Sequence, residues 1–400
     1  MNYRNFRKGF LALSLLGFGF SLSSCFAAPG EEPVNMVRTV SVIGTNGEGT
    51  HYSVTIGSSF DYQIEDNGML FVGCFEEKDG AGEKYVAYDG KSVTWKDSMP
   101  DTLYAYYVSK ENLCFSANPL NERNSLSNSG SGSKDVGKVS FDEAYVAYME
   151  KSDLKALTTI SFDHMDISSD IYDNWSDLII TCNDKQIYKN SLRANQDWAA
   201  FSETFELKTK DLAKGLSISL GHASSNISGQ TSTIKNVKVD VRLLTEQQLD
   251  NEITFEKLGK RFTQYVPDGS QMLRTTSSFV TGGTVIPYQV KKLLEKYDQA
   301  SLDISFTISS YGKKSFVLEN WGDSFCKVLD KDGNELQSKF VKLQNNSGYA
   351  NNVCTISMAK GQAQLLSRAN ILFEYPSKNA SGQPYYVRSA KLEYTFSTNV

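Results

Sequence analysis

The segment Leu157-Thr158-Thr159-Ile160-Ser161-Phe162 and the segment Ser301-Leu302-Asp303-Ile304-Ser305-Phe306 carry one pattern, 144 residues apart at their phenylalanines (306 − 162). Apolar and polar residues alternate in both, as on a strand with one buried face. Further pairs follow. Asn174-Trp175-Ser176-Asp177 matches Asn320-Trp321-Gly322-Asp323 at an offset of 146 (321 − 175). Asn226-Ile227-Ser228-Gly229-Gln230 matches Asn379-Ala380-Ser381-Gly382-Gln383 at 153 (382 − 229). The closing strand Ile234-Lys235-Asn236-Val237-Lys238-Val239-Asp240-Val241 matches Val387-Arg388-Ser389-Ala390-Lys391-Leu392-Glu393-Tyr394. An offset that grows slowly signals loop insertions within two copies of one unit. Each copy, built of short alternating segments broken by turn residues, reads as a β-sandwich.

Composition agrees. The 400 residues include 22 Phe, 21 Tyr and 4 Trp but only 8 Pro, and 40% are hydrophobic. Strand-like runs of Val, Ile, Thr, Tyr and Phe make the chain mainly all-β. A net charge of −5 argues against a nucleic-acid partner. Five cysteines follow Cys25, an odd and scattered number that makes no disulfide framework. Cys74 could pair with Cys114, and Cys326 with Cys354; the alternative is that they are small buried hydrophobes.

Outward from the repeat, the chain divides as follows. Residues 36–109 form one small domain. Residues 110–137 read as a linker, because 121–134 is a series of Asn, Ser and Gly that cannot offset its own ordering entropy. The first sandwich takes 138–245 and the second 246–400. Short helices open them at Asp142 to Leu154 and Tyr288 to Lys296. Hairpin turns fall at Asn183-Asp184-Lys185 and at Asp330-Lys331-Asp332-Gly333, the latter expected as type I′.

At the N-terminus, Arg4, Arg7 and Lys8 precede an apolar run from Gly9 to Ser21, then Leu22-Ser23-Ser24-Cys25. The order is that of a secretory signal, and the last four residues resemble the lipobox of bacterial lipoproteins. The resemblance implies a signal segment over 1–25, acylation of Cys25 and a solvated tether over 26–35. The expected location is the bacterial cell envelope, lipid-anchored, and Phe26 after the cysteine suits the outer membrane or cell surface. The other reading is an ordinary signal cleaved near Ala27-Ala28.

In the small domain, Phe71-Val72-Gly73-Cys74-Phe75, Asp79-Gly80, Thr94-Trp95 and Thr102-Leu103-Tyr104-Ala105-Tyr106-Tyr107 resemble the Listeria–Bacteroides repeat, also called the internalin B-repeat. Cys74 and Tyr107 stand where that family carries Trp. The resemblance implies a β-grasp-like sheet serving as spacer and adhesion module, with its aromatics in the core. The two sandwiches resemble carbohydrate-binding and galactose-binding-like jelly rolls in pattern alone.

The catalytic inventory is thin. The three histidines, His51, His164 and His222, lie in separate elements, and no H-E-x-x-H, G-x-S-x-G or P-loop is present. No catalytic residue, metal site or cofactor is expected. Asp330-Lys331-Asp332-Gly333-Asn334-Glu335 lacks the later bidentate Glu of a calcium loop. Trp175 and Trp321 occupy matching positions. They are either core anchors or exposed platforms for sugar rings, with Asn174, Asp177, Asn320 and Asp323 bonding hydroxyls. Trp198 has no counterpart in the second unit, so it marks something specific to the first. The expected function is a non-enzymatic envelope lipoprotein that binds glycan or a surface protein. The alternatives are a self-associating structural component and a glycan hydrolase using two carboxylates.

Overall fold

The computed structural model describes residues 36–128, 132–167, 176–192, 198–222, 231–266, 273–275, 279–280, 284–297, 300–312, 322–343, 350–359, 361–374 and 385–397. The lipobox-like segment, Cys25 and the tether lie outside them.

The first module has strands β1 (Val37–Ile43), β2 (Gly49–Thr55), β3 (Leu70–Phe75), β4 (Lys84–Val86) and β5 (Thr102–Val108). Their order is β2-β1-β5-β3-β4, with β1 parallel to β5 at the centre and the remaining pairs antiparallel. This is the β-grasp-like mixed sheet. Its core gathers Trp95, fully buried, against Phe60 and Tyr85, while Phe71 packs between Tyr62 and Tyr107. Gly73 is required: at φ 152° a Cβ there would lie 2.6 Å from the Val86 carbonyl oxygen. The F-x-G pattern therefore records a close approach of β3 to β4, and Cys74 beside it is buried in the same core.

The first sandwich comprises β6 (Cys114–Ala117), β7 (Ser125–Asn128), β8 (Gly132–Lys138), α1 (Glu143–Lys151), β9 (Lys155–Ile167), β10 (Ser176–Cys182), β11 (Lys185–Leu192), β12 (Ala199–Lys208), α2 (Thr209–Lys214), β13 (Leu216–His222) and β14 (Thr231–Leu244). One sheet runs β12-β9-β14-β6 with β7 also on β14, and the facing sheet runs β11-β10-β13-β8. Residues 110–137, expected as a linker, are thus a correction: they supply β6, β7 and most of β8. Their side chains are poor in apolar groups because these short strands sit at sheet edges. Pairing with β14 and β13 orders them, together with a short apolar stripe in which Leu113, Phe115 and Ala117 enter the first core.

The second sandwich follows α3 (Glu246–Glu252) and α4 (Phe255–Leu258). It has β15 (Arg261–Val266), β16 (Leu273–Thr275), β17 (Phe279–Val280), β18 (Thr284–Val285), α5 (Tyr288–Lys296), β19 (Ser301–Gly312), β20 (Gly322–Leu329), β21 (Glu335–Leu343), β22 (Ala350–Met358), β23 (Arg368–Glu374) and β24 (Tyr385–Ser397). Its sheets run β22-β19-β24-β15, with β16 also on β24, and β21-β20-β23-β17, with β18 also on β23. The two sandwiches therefore repeat one strand order. β6 and β7 correspond to β15 and β16, and β9 and β14 to β19 and β24.

Three details differ from expectation. Ile160 pairs with Val239, and its counterpart Ile304 with Tyr394. The closing strands are therefore offset by 155 (394 − 239), two residues from the sequence match at 153, which preserves the inward face because strands have period two. The turn at Asp330 is not type I′. The Gly333 N–H bonds the Asp330 carbonyl and only Gly333 has positive φ, so it is a type I turn closed by a left-handed glycine. The five described cysteines are free. Cys74, Cys182, Cys326 and Cys354 are buried and Cys114 is exposed, and Cys326 and Cys354 lie in the same second core.

The modules also touch. Phe75 and Val72 of the first module pack on Ala144 of α1, whose N-cap Asp142 forms an ion pair with Lys84.

Candidate functional site

Of the residues singled out in sequence, Asp177, Trp198 and Asp323 fall among the described ones. Asn174, Trp175, Asn320 and Trp321 lie outside the described residues. Asp177 and Asp323 fall in β10 and β20, where their backbones take part in sheet pairing. Trp198 stands just before β12 and is 40% exposed, among the few large apolar side chains in solvent. Its indole carries the Lys235 ammonium 4.2 Å from the ring centroid. That contact contributes about 0.5–1 kcal/mol at an exposed site and fixes the ring's attitude.

The surroundings follow from alternation. On β9, Ile160, Phe162 and His164 face inward, so Ser161 and Asp163 face out. β14 bulges between Lys235 and Lys238, where Asn236 adopts φ 54°. The bulge turns the Asn236 side chain across the sheet, and its Nδ2 donates to Asp163 Oδ2 at 2.8 Å. An exposed indole beside a carboxylate, an amide and an ammonium can stack on the apolar face of a sugar ring and bond its hydroxyls. The unmatched Trp198 was the sequence signal for this face; the bulge that brings in Asn236 had none.

A second feature lay beyond sequence reading. A cleft of about 500 Å3 opens between β11 and β12 of the first sandwich and α5 with the start of β23 in the second. Glu206 on β12 accepts from Lys292 at 2.6 Å, Lys155 at 3.3 Å and the Tyr288 hydroxyl at 3.3 Å. Burial raises its pKa, but Lys292 and Lys155 outweigh that and hold the carboxyl below the ordinary carboxylate range. Glu203, three residues earlier, is half-buried, and burial pushes its carboxyl up to about 8. Glu206 and Glu295 are both held by Lys292, so neither is a free carboxylate facing Glu203.

No protein-family model matches the chain, and no curated protein matches it in sequence. Among solved structures it is similar to the CBM22-1-CBM22-2 tandem domain of Paenibacillus barcinonensis Xyn10C, at 10% identity over 72% of this chain and 99% of that one, TM-score 0.21. It is also similar to a putative secreted protein of Parabacteroides distasonis, at 10% identity over 84% and 97%, TM-score 0.18. A third is the infectious bursal disease virus Gx strain structure, at 9% identity over 72% and 72%, TM-score 0.24. Scores this low bear on neither ligand nor activity. The β-sandwich assignment rests on the sheets described above.

Proposed function

We propose that this protein is a glycan-binding lipoprotein of the bacterial cell envelope, without enzymatic activity, held to the membrane through Cys25. The observation that carries the reading is the Trp198 indole, 40% exposed on a sheet face beside Asp163, Asn236 and Lys235. Leaving a Trp in water forgoes about 2–3 kcal/mol of burial, which a ligand that stacks on it recovers. The small module, read as an internalin-type repeat, serves as a spacer between anchor and sandwiches. A single acyl chain binds membranes only marginally, so the reading needs at least two chains at Cys25.

A glycan array probed with the purified full chain and with W198A tests the binding. At least tenfold loss of signal in W198A, with an unchanged melting temperature, supports the proposal; unchanged binding by W198A, or silence across the array, overturns it. For the anchor, intact mass of the mature protein is expected to carry acyl groups that Cys25→Ser lacks.

A further inference from the structure

The duplication makes one residue conspicuous. Ile160 of β9 pairs with Glu203 of β12, while its counterpart Ile304 of β19 pairs with Ile356 of β22. Ile356 is 1% exposed in the second core. Glu203 therefore puts a carboxyl where the sister unit puts an apolar anchor, on the strand face shared with Phe201, Phe205 and Leu207. Desolvating a carboxyl there costs free energy, and Glu203 has no hydrogen-bond or ion-pair partner among the described residues to offset it. It lines the cleft between the sandwiches, so its carboxyl is available to whatever enters.

Cations line the same cleft. Lys292 is committed to Glu206 and Glu295, and Lys331 to Asp332. Arg368 donates one Nη2 bond to the Lys189 carbonyl at 3.0 Å and has no carboxylate partner among the described residues; Lys291, exposed on α5, has none either. A guanidinium in that state takes a carboxylate through two parallel N–H···O bonds. About 500 Å3 is within the ordinary range for a small-molecule site and roomy enough for one or two sugar rings.

We propose that this cleft binds a carboxylate-bearing saccharide of one or two rings, with Arg368 and Lys291 taking the carboxylate and Glu203 the ring hydroxyls. The choice of a saccharide rests on the glycan reading above; the position of the site does not. Isothermal titration of the purified full chain with digalacturonate, with a neutral disaccharide and with sodium sulfate tests it. Digalacturonate is expected to saturate one site, with at least tenfold weaker binding of the neutral sugar and of sulfate. The K291A/R368A double variant should weaken digalacturonate at least tenfold and E203A at least threefold, whereas W198A leaves it unchanged. Lys291 is exposed, but Arg368 is half-buried and bonds the Lys189 carbonyl, so K291A alone, which should weaken digalacturonate at an unchanged melting temperature, separates binding from stability. Absence of digalacturonate binding, equal affinity for the neutral sugar, competition by sulfate as strong as by digalacturonate, or unaltered binding by K291A/R368A overturns the proposal. Loss of binding in W198A instead of in the double variant moves the ligand to the Trp198 face and also overturns it. A blank glycan array with digalacturonate binding intact overturns the Trp198 reading and leaves the cleft site standing.

Discussion

Lys292 on α5 places its Nζ 2.6 Å from Glu206 Oε2 on β12, so one ion pair ties the second sandwich to the first. Both side chains are largely shielded from solvent, and Lys155 and Tyr288 complete the cluster around the carboxylate. The sandwiches thus meet through this charge network, the bond from Arg368 to the Lys189 carbonyl, and apolar contacts of Leu157 and Val285 with the opposite cores.

Removing Lys292 leaves Glu206 with fewer partners in a partly desolvated site. K292A is expected to lower stability by about 2 kcal/mol, as loss of a hydrogen bond to a charged group does, and to expose the junction to proteolysis. The Glu206 carboxyl is held below its unfolded pKa, so the folded state binds fewer protons. Its contribution is present above the unfolded value of 4.5 and is lost as pH falls through the folded one. Thermal melts of wild type and K292A should converge as the solution is acidified below pH 4.5; a constant gap would refute the assignment.

Glu203 has the opposite sign. Its folded pKa of about 8 exceeds the unfolded 4.5, so the folded state keeps a proton that the unfolded state releases. Its contribution is complete below pH 4.5 and declines as pH rises to 8. E203Q, which cannot ionise, should match wild type at pH 4.5 and melt roughly 3 °C or more higher at pH 8.5. Parallel melting curves for the two proteins at every pH would disprove it.

In the first module, Trp95 fills the centre of the aromatic core. W95A should cost about 4 kcal/mol, enough to unfold that module while the sandwiches keep their own transition. Calorimetry would show the loss of one transition; a uniform shift of all transitions would show instead that the modules unfold as one.

Thiol chemistry follows burial. Cys114 is exposed, whereas burial pushes Cys74 up to about 12 and Cys182 up to about 11. Native alkylation of the five cysteines after Cys25 should therefore modify Cys114 first, with Cys74, Cys182, Cys326 and Cys354 protected until denaturant is added. Peptide mass mapping that finds Cys182 or Cys354 modified alongside Cys114 would count against the packing described.

Much of the architecture was legible along the chain because strand alternation and repeat spacing are local properties. The hairpin of β1 and β2, the helices at Glu143–Lys151 and Tyr288–Lys296, and the strands β9, β14, β19 and β24 all lie where those patterns put them, whereas the pairing of β9 with β14 and of β19 with β24 came from the structure. Residues 110–137 did not reveal their strands. At β6 the alternation of Leu113, Phe115 and Ala117 with Cys114 and Ser116 was legible but short, while β7 and β8 are ordered chiefly by backbone hydrogen bonds to partners about a hundred residues away, which leave no mark on composition. Trp198 was visible as an unmatched aromatic, yet its contact with Lys235 and the nearby bond from Asn236 to Asp163 depend on cross-strand register and on a bulge in β14.

By itself the sequence determined that two copies of one sandwich follow a small aromatic-cored sheet, since period and offset are written residue by residue. Only the tertiary structure decided that Glu203 stands in place of Ile356 and shares a cleft with Arg368. Those juxtapositions come from cross-strand register and from two modules meeting, and both are set by packing between segments up to 165 residues apart (368 − 203).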